Sequence, residues 1–251
     1  MMNPAEFDNI AKAESDLWWY RGMHRIMFGM LDRYLDGRTV RTALEAGCGT
    51  GYFARLAQQR YKWPVVPVDL GWQGLEYARQ LGLKRLCQCD IAALPFPAAS
   101  FDVVVSLDVI VHFPRGEEAG AARELSRVLA PGGILAVRVS ALDILRSRHS
   151  QFAHERQRFT RTRLKRLMES EGIRVLRCTY ANSLLMPVAL AKFRIWEPLL
   201  RKPPASGVTP VPGWLDRLLY APLALESSWL AAGLNLPLGQ SLILIGEKVS
   251  S

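Results

Sequence analysis

The chain has 251 residues, of which 49% are hydrophobic and 22% are charged. This composition is typical of a globular protein with enough apolar material for a sizeable core, and it excludes a largely disordered chain. Lys and Arg number 32 against 23 Asp and Glu, which gives a net charge of +9. An excess of this size favours an anionic partner such as nucleic acid, a membrane surface or a phosphorylated substrate, although an arginine-rich composition alone also produces it.

The four cysteines do not form a metal-binding pattern. Cys48, Cys87, Cys89 and Cys178 are scattered, and no C-x-x-C pair occurs among them. We therefore predict reduced thiols and no metal site. The first residues include several acids and no apolar signal segment, and no apolar run reaches the length of a spanning helix. These features predict a cytoplasmic protein, with peripheral contact at the inner membrane surface left open.

The strongest local signal is the segment Glu45-Ala46-Gly47-Cys48-Gly49-Thr50-Gly51. A strand-like run at 41–44 precedes it, and a helical pattern begins at Tyr52. Alternating glycines let the backbone turn tightly and approach a ligand, and the following helix offers free N–H groups. The spacing is E-x-G-x-G-x-G, which differs from the G-x-G-x-x-G of dinucleotide-binding proteins.

Two acids follow the next two predicted strands. Residues 64–69 form a strand that ends in Asp69, which can accept hydrogen bonds from both ribose hydroxyls or cap the predicted helix 72–81. The third strand, 85–91, ends near Asp90. Its carboxylate can accept a hydrogen bond from an adenine amine while Ile91 packs on the ring, or it can cap a turn.

Residues 101–113 are an almost unbroken apolar run, which predicts a central strand buried on both faces. His112 lies at its end and can act as a base or only position a ligand. A helix at 116–129 and a Pro-Gly-Gly turn precede a fifth strand at 133–139. A basic loop, a helix at 162–171 and strands at 174–180 and 241–248 complete the pattern.

Two segments lie outside this alternation of strands and helices. Residues 5–35 are predicted as one helix, and their Trp-Trp-Tyr-Arg-Gly segment at 18–22 suits an amphipathic lid. Residues 181–240 are apolar and interrupted by prolines. Three interpretations of 181–240 stay open: a cap over an apolar pocket, a dimer interface, or a membrane-surface element helped by four basic residues, Lys192, Arg194, Arg201 and Lys202.

In order and spacing, these motifs resemble the class I S-adenosylmethionine (SAM)-dependent methyltransferases, in particular the type 11/12-like branch. The resemblance covers residues 41–180 and 241–249. It implies an α/β fold with a Rossmann-like, seven-stranded, doubly wound sheet whose last strand is antiparallel. The domains would be an N-terminal helical lid (1–40), a SAM-binding core (41–180 plus 241–251) and a helical insertion between strands six and seven (181–240).

The resemblance also implies the cofactor, SAM, and a set of site residues. The cofactor would contact Arg21, Glu45, Gly47, Cys48, Gly49, Gly51, Asp69, Leu70, Asp90, Ile91, Leu107 and His112. His112 is the catalytic candidate, and a loosely matching H-x-x-R-[YF]-T segment makes His154 and Arg158 the substrate candidates.

The expected reaction is methyl transfer to a small-molecule or lipid-like acceptor, which an arginine-rich loop at 140–163 would suit if it were anionic. Nucleic acid is disfavoured because strand four lacks an N-P-P-Y or D-P-P-Y tetrad. Two alternatives are kept: an NAD(P)-dependent oxidoreductase, and a non-catalytic protein of this fold that binds nucleic acid or a membrane surface. The oligomeric state is left open.

Overall fold

The computed structural model describes residues 2–200 and 203–249. The strands are β1 (Ala43–Ala46), β2 (Val65–Asp69), β3 (Cys87–Gln88), β4 (Phe101–Leu107), β5 (Leu129–Ser140), β6 (Ile173–Ala181) and β7 (Ser241–Lys248). The helices are α1 (Pro4–Ala13), α2 (Trp18–Leu35), α3 (Tyr52–Tyr61), α4 (Trp72–Gln80), α5 (Glu118–Val128), α6 (Arg148–Phe152), α7 (Arg161–Ser170), α8 (Met186–Ala191), α9 (Glu197–Leu200) and α10 (Gly213–Ala231).

The seven strands form one sheet in the order β3-β2-β1-β4-β5-β7-β6. The pairings from β3 to β5 are parallel, whereas β7 runs antiparallel to both β5 and β6. This confirms the predicted doubly wound sheet with an antiparallel last strand. The carboxyl ends of β1, β2 and β4 lie at one edge, where open sheets of this kind bind their ligands.

The predicted N-terminal helix is in fact two helices. The helical pattern stops after Ala13 and resumes at Trp18, because Leu17 has an extended backbone with φ −65° and ψ 129°. The backbone N–H of Trp18 donates to a carboxylate oxygen of Asp216 at 2.7 Å. This bond to α10 caps α2 from a distant part of the chain, which local periodicity could not reveal.

The predicted fourth strand is also too long. It ends at Leu107, because Asp108 has a left-handed φ of 58° and turns the chain out of the sheet. His112 therefore lies on a 3-10 turn, Ile110–His112, and not on the strand itself. The third strand is shorter than predicted, at two residues, and the fifth is longer and already begins at Leu129.

The sheet separates two cores. One core holds α5 and α7, with Leu125, Leu164 and Met168 fully buried. The other holds α2, α3 and α10, and its buried residues include Met27 and Leu223. Segments predicted as a lid and an insertion thus contribute helices that share this second core with the sheet.

The insertion joins the sheet through α8, a five-residue π-helical segment (Lys192–Trp196), α9 and then α10. Glu226 of α10 is buried, and one of its oxygens accepts the backbone N–H groups of Ser183 at 2.7 Å and Leu184 at 2.6 Å. These bonds tie α10 to the point where the chain leaves β6. Among the described residues, no helix is long and apolar enough to cross a membrane.

The contact between α2 and α10 depends on a residue without a side chain. A Cβ placed on Gly22 would lie 2.7 Å from Leu223 Cβ and overlap that side chain, and Leu223 is fully buried. We expect Gly22→Ala to lower the free energy of unfolding by about 1–3 kcal/mol, because an overpacked core must move apart. Denaturant titration monitored by circular dichroism measures this change.

Gly120→Ala is the matched control, because Gly120 also lies within a helix but its nearest neighbour to an added Cβ is Ala92, at 3.9 Å. There the better helix propensity of Ala should stabilise the protein by up to about 1 kcal/mol. Equal effects of the two substitutions would contradict close packing at Gly22.

Candidate active site

The glycine-rich loop joins β1 to α3 with a left-handed backbone at each glycine. The φ angles of Gly47, Gly49 and Gly51 are 81°, 55° and 77°. A Cβ on Gly47 would also overlap Val109, with Val109 Cγ1 at 2.7 Å. The backbone N–H groups of Gly47 and Cys48 both donate to the Val68 carbonyl at 2.8 Å, which fixes the loop against β2.

Asp69 braces this loop from the end of β2. One carboxylate oxygen accepts the N–H of Gly49 at 2.8 Å, and the other accepts the N–H of Gly71 at 2.7 Å. Burial raises the pKa of Asp69, and these backbone hydrogen bonds act in the opposite direction. A carboxylate has about four acceptor positions, so Asp69 retains capacity for a ligand hydroxyl.

Asp90 has a smaller structural role and an exposed side chain. One of its oxygens accepts the N–H of Ala92 at 2.9 Å, which is the turn-capping bond considered above. Ile91 beside it is buried, whereas Leu70 is exposed. All three residues face the same cavity.

Glu45 is the buried acid of the loop motif. It is 3% exposed, and its Oε2 has no hydrogen-bond partner in the part of the chain that the structure describes. Desolvation raises the pKa of Glu45 well above its usual value. A cationic group bound beside it would reverse this cost by stabilising the charged form.

A single cavity of about 1020 Å³ connects these residues to the N-terminal helices and the insertion. Its volume is at the upper end of the range for small-molecule sites, about 300–1,000 Å³. The glycine loop, Asp69 and Asp90 form part of its wall. Another part is apolar and comes from the insertion: Leu185, Val188, Phe193, Trp196, Leu200 and Leu219.

Ten of the twelve predicted cofactor residues line this cavity, namely Glu45, Gly47, Cys48, Gly49, Asp69, Leu70, Asp90, Ile91, Leu107 and His112. Gly51 does not, and it serves instead as the left-handed N-cap of α3. Arg21 does not line it either. Its guanidinium pairs with Asp216 and lies over the ring of Tyr220 at 4.7 Å, so in this structure Arg21 contacts α10.

His112 points its ring into the cavity with a defined tautomer. Its Nδ1 lies 3.2 Å from the backbone carbonyl of His154. Because a carbonyl only accepts, Nδ1 carries the proton and Nε2 is left as an acceptor. Burial lowers the pKa of His112, which keeps the ring neutral.

The two predicted substrate residues have other tasks in this structure. His154 is exposed, has a left-handed φ of 58° and does not line the cavity, so its backbone carbonyl and not its ring serves the site. Arg158 does line the cavity, but its guanidinium donates to the Ala141 carbonyl at 3.0 Å and to Ser150 Oγ at 2.9 Å, and it pairs with Glu155 at 2.9 Å.

Sequence reasoning missed Arg138, a charged residue near the carboxyl end of the apolar strand β5. It is 5% exposed, donates through Nε and Nη2 to Asp108 at 2.9 and 2.6 Å, and stacks on Trp19 at 5.0 Å. Its Nη1 is buried and has no partner among the described residues. Arg138 lines the cavity, and its Nη1 has a hydrogen-bonding capacity that no described residue meets. An arginine within an apolar run was the signal that could have revealed it.

Glu14, between α1 and α2, is a second missed residue. Its carboxylate is buried against the cavity and accepts the hydroxyl of Thr50 in the glycine loop. Desolvation raises the pKa of Glu14 to about 7. This acid therefore changes charge near neutral pH, next to the loop.

The segment between α9 and α10 is held across the cavity by polar contacts. Ser206 Oγ donates to buried Glu6 of α1 at 2.9 Å, and the N–H of Gly207 donates to Nδ1 of His149 at 3.1 Å. All four residues line the cavity. The N-terminal helix and the insertion therefore close over the site together.

The raised pKa of Glu14 predicts a pH-dependent stability. Between about pH 4.5 and pH 7 the folded state binds a proton that the unfolded state has lost, so the free energy of unfolding falls as pH rises through this range. Glu14→Gln removes the titration and should stabilise the protein at pH 8, relative to wild type, by roughly 2–3 kcal/mol, with little gain at pH 4.5. Thermal unfolding across this pH range measures the difference.

Glu117→Gln, at an exposed position, is the control and should leave the pH profile of wild type unchanged. A Glu14→Gln profile parallel to that of wild type would show that folding does not raise the pKa of Glu14.

Residues 44–137 match the sequence model of the family described as "Methyltransferase domain". The chain is 37% identical over 114 residues to 2-methyl-6-phytyl-1,4-hydroquinone methyltransferase of Synechocystis sp., a match that covers 44% of this chain and 34% of that protein. It is 36% identical over 125 residues to a probable SAM-dependent methyltransferase of Mycobacterium tuberculosis. This match covers 48% of this chain and 42% of that protein. The chain thus spans less than half the length of these curated relatives.

Among solved structures, the cyclase SpnF has a TM-score of 0.60 at 18% identity, over 93% of this chain and 83% of that chain. At this identity the likeness shows the fold alone. The family match covers the glycine loop, Asp69, Asp90, His112 and most of β5. Residues 44–137 therefore match a methyltransferase domain, and the relatives of this domain include SAM-dependent methyltransferases, which supports SAM as the cofactor.

Proposed function

We propose that the protein transfers the methyl group of SAM to a small-molecule acceptor with a lipid-like part. One observation carries the proposal. A single cavity joins the glycine loop and its two acids to an apolar wall built from the insertion. Such a cavity suits a polar cofactor and an apolar acceptor side by side.

On the cofactor side, the proposal gives each acid of the motifs a task. Asp69 accepts hydrogen bonds from the ribose hydroxyls while it continues to brace Gly49. Asp90 accepts the adenine amine, and Ile91 packs on the ring. Glu45 lies buried with an unpartnered oxygen, which suits the cationic methionine end of SAM.

The methyl group of SAM is attached to a sulfonium, which is a good leaving group, so alignment of donor and acceptor can supply much of the rate. A base is needed only where the acceptor must lose a proton. His112 meets the requirements for such a base, because its ring is neutral and its Nε2 is an acceptor in the cavity.

The acceptor would place an oxygen on Nη1 of Arg138, a buried terminal nitrogen without a partner among the described residues. A hydroxyl or phenolate oxygen with an attached hydrocarbon fits this donor and the apolar wall together. The Synechocystis relative is named for a hydroquinone with a phytyl tail, which has this chemistry. The Arg158 guanidinium is already bonded within the protein, so Arg138 and not Arg158 is our choice for an anionic group. A lipid-like acceptor is concentrated in lipid bilayers, so a peripheral contact with a membrane surface would help this reaction without being required for it.

The cofactor assignment predicts the effect of removing Asp69. We expect wild type to bind SAM and its demethylated product with micromolar dissociation constants in calorimetric titration. Asp69→Ala should weaken both at least tenfold, because the ribose bonds and the brace on the loop are both lost. Glu76→Ala removes the same charge from a half-buried position on α4 that pairs with Arg79 and does not line the cavity, and it should bind as wild type does. Failure of wild type to bind SAM would contradict the cofactor site.

The base assignment predicts a contrast between two histidines. We would measure transfer from methyl-labelled SAM to 2-methyl-1,4-hydroquinone with and without a decyl tail. His112→Gln should lower kcat by about 10²- to 10⁴-fold. His154→Asn keeps the backbone carbonyl and tolerates the left-handed φ, so its kcat should stay near wild type. Because the pKa of His112 is lowered, wild-type kcat should fall only below about pH 6.5, the ordinary value for histidine.

The same assay tests the two contacts proposed for the acceptor, with the apolar wall and with Arg138. A lower KM for the tailed hydroquinone supports the apolar wall, and a raised KM in Arg138→Met supports the oxygen contact. Equal kcat values for the two histidine variants would contradict a base at His112, and no transfer to either hydroquinone would contradict this acceptor class.

A further inference from the structure

The outward face of α10 is apolar over its whole length. Trp214, Leu218, Ala221, Leu225 and Trp229 recur at spacings of three and four residues, so they lie on one side of the helix. The four large side chains are 66%, 61%, 63% and 49% exposed. We call these five residues the α10 stripe.

The polarity of α10 is reversed compared with an ordinary surface helix. Glu226 and Ser227 are buried on its inner face beside Leu223 and Leu230, whereas the outer face is apolar. A surface helix normally turns its polar residues to water. Contiguous exposed apolar surface of this kind marks a site of interaction with a protein or a membrane.

A second exposed apolar surface lies at the cavity mouth. Leu184, Val188, Ile195 and Leu199 of the segment 184–200 are each more than half exposed. Val188 and Trp196 are exposed and also line the cavity, so the cavity opens at this segment. Leu219 of α10 lines the same cavity, which places both helical segments at its border.

The charges of these helices favour an anionic partner. The three acids of these helical segments each accept backbone N–H groups of the protein. Glu197 accepts the N–H of Arg148, and Asp216 accepts the N–H of Trp18. Glu226 accepts the N–H groups of Ser183 and Leu184. The bases, Lys192, Arg194 and Arg217, are exposed. Arg201 and Lys202, which the sequence suggested for this role, lie outside the described residues.

We propose that the α10 stripe and the exposed apolar residues of 184–200 dock on the surface of an anionic lipid bilayer, so that the cavity opens toward the lipid. A helix that lies in the membrane interface typically carries an apolar face, tryptophans at the level of the headgroups, and basic residues on its polar side. The α10 stripe has tryptophans at both ends, and bases lie beside it without a free acid. A second copy of the chain fits less well, because a two-fold contact would bring the same bases together without acids to pair them.

The proposal rests on the proposed function only for the identity of the molecule that enters the cavity. Docking itself needs neither SAM nor methyl transfer, and the test therefore uses the full chain without either. Sedimentation with phosphatidylcholine vesicles, with and without phosphatidylglycerol, measures the partition coefficient. We expect binding to the anionic vesicles that is at least about tenfold stronger than to the neutral ones and that weakens with salt.

Leu218→Glu with Leu225→Glu places two charges on the stripe and should lower this partition coefficient at least about tenfold. Val249→Glu is the control, because Val249 is 54% exposed beyond the end of β7 and outside both apolar surfaces. SAM titration of both variants verifies that they remain folded. A second measurement, quenching by lipids brominated in the acyl chain, should be reduced in Trp214→Phe with Trp229→Phe.

Three results would overturn the inference: no binding to anionic vesicles, equal binding by the stripe variant and the control, or a stable dimer in light scattering that the stripe variant dissolves. These measurements also distinguish failure of the membrane-docking inference from failure of the proposed function. Transfer to the tailed hydroquinone without vesicle binding removes the docking surface alone, and vesicle binding without transfer removes the acceptor class alone.

Discussion

A buried carboxylate on α10 decides how the insertion meets the sheet. Glu226 is almost fully buried, and burial raises its pKa, a cost that its hydrogen bonds from the N–H groups of Ser183 and Leu184 offset. To accept these two N–H groups, Glu226 must face inward, toward the end of β6. Since a helix presents opposite faces to core and solvent, this one contact turns the apolar stripe outward and brings Leu219 to the cavity.

Features that depend on neighbouring residues could be predicted from the sequence. The glycine loop and the acids at Asp69 and Asp90 follow from local spacing, and the structure places them on one cavity. Features that depend on partners far away in the sequence could not be predicted. The break before Trp18 depends on Asp216, and the early end of β4 places Asp108 where it pairs with Arg138, 30 residues away. Periodicity predicts elements well, but it does not record such bonds.

The same limit applies to the arginines. Sequence composition suggested that the loop at 140–163 would bind an anionic substrate, but Arg158 is bonded to carbonyl, hydroxyl and carboxylate groups of the protein. Arg138, inside an apolar strand, has a buried terminal nitrogen, Nη1, without a partner among the described residues, whereas the nitrogen of Arg158 in that condition is Nε, which lies 2.9 Å from the Glu155 carboxylate. Charge counted along a sequence does not distinguish a guanidinium that holds the fold from one that is available to a ligand, because the difference lies in the partners.

The fold leaves the chemistry open, since a cyclase shares it. What narrows the choice is the residues that meet at one edge of the sheet. The loop and its acids suit SAM, the tautomer of His112 suits proton removal, and the insertion supplies apolar surface both inside the cavity and around its mouth. An acceptor with a long hydrocarbon is costly to move through water, about 0.8 kcal/mol per CH₂. A cavity that opens on a docked lipid surface removes that cost, which gives the inverted polarity of α10 a physical reason.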